Sequence, residues 1–138
     1  MPIPSGMTIS GADGRIVVRG RATGDALVLE APLSLLCIRP EDGVIDDVHH
    51  PDRGQSVTGR VLCLPATRGG PASTGVLLEC LRRGTAPAAM LLGEDEPAVV
   101  ISCLVGLELY EKSMPVVVLK RESFAALATG TRIEIVES

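Results

Sequence analysis

From Pro65 to Glu79 the chain reads Pro-Ala-Thr-Arg-Gly-Gly-Pro-Ala-Ser-Thr-Gly-Val-Leu-Leu-Glu, a stretch equipped to hold an anion. The β-type run Arg60–Leu64 leads into it, and a helix is expected from about Ser73 to Arg83. Val76, Leu77, Cys80 and Leu81 recur at i, i+1, i+4 and i+5, on one helical face. Free N–H groups and the positive end of the helix dipole then point at the loop, where a carboxylate or phosphate is stabilised. Arg68 offers a two-pronged guanidinium to the same anion, beside Gly69 and Gly70. Ser73 or Thr74 can act as the N-cap, accepting from a backbone N–H. The plainer alternative is a strand–loop–helix connection carrying a surface Arg.

Both histidines, His49 and His50, lie in the polar segment 46–56 together with Ser56 and three aspartates. Neighbouring side chains on extended backbone point to opposite sides, which argues against one metal ion held by both. The remaining readings are a loop His that orders the turn or one that reaches a substrate. Cys37, Cys63, Cys80 and Cys103 are far apart and form no Cys-x-x-Cys pair. Zinc ribbons and iron–sulfur sites rely on close pairs, whereas isolated cysteines in apolar runs behave as small hydrophobes. No metal is therefore expected in this chain, and any metal it serves is expected in another.

The chain has 138 residues, enough for one domain with a real core. Apolar residues make up 46%, yet there is one Phe, one Tyr and no Trp, so the core must be aliphatic. A net charge of −4, a pI near 5.1 and the lack of stacking aromatics argue against nucleic acid as a partner. No apolar run approaches the roughly 18 residues of a membrane span. Met1–Gly6 lacks the basic region and apolar core of a signal peptide, so a cytoplasmic protein is expected.

Residues 1–14 are polar and Gly-rich and read as a loose lead-in. Strands are expected at Arg15–Gly20 and Ala26–Leu29, with Ala22–Asp25 as the loop between them. After Pro32, Leu33–Ile38 is an apolar run of strand length. Arg39–Gly43 is a turn by composition, and Val44–Ile45 an edge pairing. Beyond the central strand–loop–helix come a buried strand, Ala88–Leu92, and a helix opening at Gly93–Pro97. In that helix Val99, Val100, Cys103, Leu104 and Leu107 lie at helical spacing. A strand at Met114–Leu119, a short helix at Glu122–Ala128 and an alternating strand at Arg132–Val136 complete the chain. The first 65 residues are thus β-rich and the rest alternates β-α-β-α-β, which requires parallel pairing with helical crossovers. The expected class is α/β, with a mixed barrel-like sheet flanked by a few helices.

Collinear motifs carry a family resemblance across roughly residues 20–138. They are Pro32-Leu33-Ser34, Asp42-Gly43-Val44-Ile45, His50-Pro51-x-x-Gly54-x-Ser56-x-x-Gly59-Arg60-Val61-Leu62 and Arg68-Gly69. Gly75-Val76-Leu77-Leu78-Glu79, Arg83-Gly84-x-Ala86-Pro87-Ala88-Ala89 and Lys112-Ser113-x-Pro115-Val116-Val117 follow. In this order they resemble the swivelling domain of the aconitase X family. The resemblance implies a single β/β/α swivelling domain over 1–138, of the kind found as a small subunit. It further implies a hydro-lyase whose large catalytic subunit holds an iron or iron–sulfur centre that polarises the leaving hydroxyl. The small domain closes over that site and binds a small carboxylate substrate. Family members dehydrate cis-3-hydroxy-L-proline, or phosphomevalonate in archaea; a non-catalytic swivel domain is the remaining alternative. On this basis Arg68, Gly69, Gly70, His50 and Ser56 are expected at the substrate.

Two departures from the family pattern bear on the chemistry. The family's central loop is Gly-Arg-Gly-Ser, and its serine is the expected acid–base hydroxyl; here Gly70 stands in that place. Ser73 and Thr74 are the hydroxyls that could substitute, or they are helix caps. The family's Gly-Gly-Val-Asp-Pro segment is here Cys37-Ile38-Arg39-Pro40, so an acid has become Arg39 and substrate choice is expected to shift with it.

Overall fold

The computed structural model describes residues 6–68 and 72–137. Within them the strands are β1 (Met7–Ile9), β2 (Gly14–Val18), β3 (Ala22–Val28), β4 (Leu33–Ser34), β5 (Val61–Leu64), β6 (Thr67–Arg68), β7 (Ala89–Leu92), β8 (Val116–Leu119) and β9 (Arg132–Ile135). The helices are α1 (Ala72–Arg83), α2 (Pro97–Tyr110) and α3 (Arg121–Ala125), with a 3₁₀ turn at Leu35–Cys37. A seven-stranded sheet runs β1-β9-β3-β5-β7-β8-β2, and β4 pairs with β6 in a small second sheet. Strands β3, β5, β7 and β8 are mutually parallel, while β9 and β2 run antiparallel to their neighbours β3 and β8. Helix α1 carries the chain from β5 to β7, and α2 from β7 to β8, as parallel pairing demands.

Every residue of β5 and β7 is buried, because these central strands are covered on both faces. Leu62, Leu64, Met90 and Leu92 pack on one side, with Leu77, Cys80, Val99 and Cys103 of the two long helices. Val61, Cys63, Ala89 and Leu91 face the other side, where Ile9, Ile133 and Ile135 from the far strands meet Val117 and Leu119. Residues from opposite ends of the sheet share one core, so the sheet curls toward a barrel. Burial pushes the Cys63 thiol up to about 12 and raises Cys80 and Cys103 as well, so all three act as hydrophobes.

The two long helices pack through small residues. Ser102 shares its hydroxyl proton between the carbonyls of Thr74 (3.0 Å) and Ala98 (2.8 Å). A Cβ added at Gly106 would sit 2.6 Å from the Lys112 carbonyl oxygen and 3.0 Å from Leu81, so only glycine allows this approach. No helix among the described residues is long and apolar enough to cross a membrane.

Four sequence expectations change. The lead-in 1–14 is not loose over its second half: β1 pairs with β9 through Met7, Thr8 and Ile9, and β2 begins at Gly14. Three residues are too short a run to show their period-two pattern. Ala22–Asp25 is strand rather than loop, because its backbone pairs with Arg132–Ile135 of β9. Gly24 reads as a breaker but is used for a close approach: a Cβ there would lie 2.9 Å from the Gly59 carbonyl oxygen. Leu33–Ile38 is strand only to Ser34, whose Oγ accepts from the Leu36 N–H (3.3 Å) and winds the next residues into the 3₁₀ turn. The short helix ends at Ala125, earlier than its apolar pattern suggests.

Candidate functional site

In parallel sheets, the carboxyl ends of the strands are where ligands bind, and at this end several connections are tied together. Strand β6 leaves β5 through Pro65 and Ala66 and pairs with β4, placing Arg68 beside Ser34. Glu96, just before α2, grips the stem of that loop. One carboxylate oxygen accepts from the Thr67 N–H (3.0 Å) and the other from the Thr67 hydroxyl. Gly93 at the exit of β7 abuts Pro65, since a Cβ would lie 2.7 Å from the Pro65 carbonyl oxygen. An open recess lined by Pro65, Gly93, Leu119, Arg121, Phe124 and Ala125 continues along the same edge.

Gly69 and Gly70 lie outside the described residues, as does the side chain of Arg68. Helix α1 begins at Ala72, so Ser73 and Thr74 stand inside its first turn and neither is the N-cap. Ser73 falls on the buried face that continues through Leu77, Cys80 and Leu81, and it is only 2% exposed. Its hydroxyl is buried with no hydrogen-bond partner among the described residues. An orphaned buried hydroxyl costs stability and calls for an explanation outside packing. Thr74 is half-buried, and its carbonyl accepts from Ser102.

His50 is buried, with both ring nitrogens engaged by backbone. Nε2 donates to the Ala31 carbonyl (3.1 Å), while Nδ1 accepts from the Asp52 N–H (3.0 Å). This fixes the tautomer with its proton on Nε2. Ala31 lies two residues before β4, so the ring fastens loop 46–54 to the approach of β4. His50→Ala should therefore cost about 2 kcal/mol, roughly 5–10 °C in melting temperature. A variant that melts normally yet loses turnover would return the ring to the substrate.

Ser56 and Arg39 are elsewhere. The Ser56 hydroxyl donates to the Asp42 carbonyl (2.9 Å) and accepts from the Thr58 N–H (3.3 Å). Thr58 in turn donates to Thr85, and Thr85 to Pro40. These residues precede β5 and β7, at the amino ends of the strands, roughly 13 Å of strand away from the loop. Arg39 closes the same turn by a bidentate pair with Asp42 (3.2 and 2.5 Å). The resemblance implied Ser56 at the substrate and tied substrate choice to the change at Arg39; in the fold both residues brace the opposite edge. Ser34 and Glu96, by contrast, stand at the site without having been singled out for it. Ser34 was visible inside its Pro-Leu-Ser motif, whereas Glu96 read as one of several acids opening a helix. Among the described residues no cluster of three or more His, Cys, Asp or Glu side chains could hold a metal ion.

The family model for the aconitase X swivel domain matches residues 11–138. The chain belongs to that family. The holo-form crystal structure of Thermococcus kodakaraensis aconitase X superposes with a TM-score of 0.77 at 29% identity, covering 88% of each chain. The mixed curled sheet of seven strands with three helices is thus the aconitase X swivel fold. A cis-3-hydroxy-L-proline dehydratase of Pseudomonas aeruginosa is 36% identical over 115 residues, 83% of this chain and 20% of that protein. The chain therefore spans about a fifth of that relative. A phosphomevalonate dehydratase small subunit of Thermococcus gammatolerans is 32% identical over 123 residues, 88% of each.

Proposed function

We propose that this swivel domain is the small subunit of a two-subunit hydro-lyase, active only with an aconitase X-type large subunit and closing over that subunit's site. A hydro-lyase removes a proton and a hydroxide from neighbouring carbons. An iron or iron–sulfur centre held by the large subunit would supply Lewis-acid chemistry for the leaving hydroxyl. The present chain supplies the rim: Arg68 with Gly69 and Gly70 at the start of α1 binds the substrate carboxylate. Ser73 supplies the hydroxyl that the family places where Gly70 stands, with Thr74 as its neighbour. The observation that carries this reading is the orphaned Ser73 hydroxyl in the first turn of α1, directly after that loop. His50 and Glu96 act behind the site, holding the two loops in place.

For the substrate, cis-3-hydroxy-L-proline is the first choice, in line with the 36% identity to a dehydratase of that compound. Phosphomevalonate is the second, favoured by the match of 88% of this chain to 88% of a free-standing small subunit. Comparing kcat/KM for the two compounds with the co-expressed subunit pair decides between them. A preference for cis-3-hydroxy-L-proline of tenfold or more is expected, and turnover of neither would overturn the assignment.

A further inference from the structure

Helices α1 and α2 lie in one layer, yet their outer faces differ in kind. The outer face of α1 carries Glu79 held between Arg82 (2.7 Å) and Arg83 (2.8 Å), a pairing suited to water. Helix α2 buries Val99, Ser102, Cys103 and Gly106 and turns Ile101, Leu104 and Leu107 outward, 49%, 57% and 56% exposed. Helical spacing grouped Leu104 and Leu107 with Val99 and Cys103; the fold buries the latter two and leaves the leucines uncovered. A helix apolar on all sides is one that is covered on all sides, and a clustered exposed apolar strip marks an interface.

The charges around the strip decide what covers it. Glu94 stands exposed before its first turn; Glu108 and Glu111 stand exposed at its last. Arg15 is paired with Asp95, and Lys112, whose ammonium donates to the Arg82 carbonyl (3.0 Å) and keeps its charge, offsets only one of Glu108 and Glu111. Both ends of the strip are therefore acidic. Two copies of this chain joined along α2, parallel or antiparallel, would set acid against acid at each end. The strip runs along the helix that starts directly after Glu96, so a protein covering α2 as far as its first turn reaches the stem of the candidate site's loop.

We propose that the outer face of α2 is the docking strip for the large catalytic subunit. The complementary surface there is an apolar groove bordered by Lys or Arg side chains. This inference rests on the two-subunit reading above. Titrating the full-length chain into the aconitase X-type large subunit of the same organism, with calorimetric readout, tests it. Ile101→Glu and Leu104→Glu should each weaken binding at least a hundredfold, and Glu108→Lys should weaken it and flatten its salt dependence. Arg83→Glu on α1 should bind as the unaltered chain does, and all four should melt normally, since the altered side chains are exposed. Unchanged affinity in both Glu variants would overturn the docking strip and leave the two-subunit reading standing. So would a dimer of the lone chain that Leu104→Glu splits into monomers. No binding by the unaltered chain would remove both.

Discussion

Ser73→Ala, assayed in the assembled enzyme, is expected to lower turnover on the order of a hundredfold to ten-thousandfold while leaving the melting temperature unchanged or raised. The rate loss is that of a positioned general acid or base. The stability sign follows from the orphaned hydroxyl: removing a buried polar atom without a partner relieves its desolvation cost, and Ala favours the helix interior. An N-cap would give the opposite pattern, about 1 kcal/mol of lost stability with turnover near normal. The two roles thus separate in one protein by two measurements. Thr74→Ala, at a half-buried position, should change turnover far less. Normal turnover in both variants would mean that the large subunit carries all the acid–base chemistry and that this loop only holds the anion.

Glu96→Ala should raise KM strongly, with kcat/KM falling roughly a hundredfold, since small displacements of a positioning group cost that much. Glu96 touches no substrate in this account. Its two oxygens hold the backbone N–H and hydroxyl of Thr67, immediately before Arg68. Hydrogen bonds to an ionised carboxylate contribute about 1.5–3 kcal/mol, and without them β6 is held by its pairing with β4 alone. Glu96→Gln keeps one acceptor oxygen and should fall between the two. Thr67→Val, which removes only the hydroxyl partner, should resemble Glu96→Gln. Steady-state kinetics on the subunit pair decide the matter, and an unchanged KM in Glu96→Ala would uncouple the grip from the site.

The central part of the fold was legible because its signals are local and strong. Ala89–Leu92 and Val116–Leu119 are short unbroken apolar runs between helical patterns, the mark of covered parallel strands. Less legible were elements made by partners distant in sequence. Ala22–Asp25 becomes strand only because β9, more than a hundred residues later, lies beside it. Leu33–Ile38 has strand composition, yet one serine side chain bonding the backbone two residues on diverts it into a 3₁₀ turn. At the site, spacing put Ser73 and Thr74 at the start of α1, but as caps rather than inside its first turn. The separation of Ser56 from Arg68 could not be read from spacing, since the eleven residues between them run the length of β5, from its amino end to its carboxyl end. Glu96 was hidden for the same reason: its partner Thr67 is contributed by a different crossover. The outward turn of Leu104 and Leu107 is the instructive case. Helical periodicity says which residues share a face, and only the neighbours say which face is covered.

The most direct measurement is dehydration activity as a function of added small chain, at fixed large subunit. Negligible turnover of cis-3-hydroxy-L-proline and of phosphomevalonate is expected from either chain alone. On addition of this chain, turnover of one of the two should rise steeply and saturate near equimolar ratio. A large subunit that turns over its substrate fully without this chain, or a pair that associates and dehydrates neither compound, would contradict the two-subunit reading.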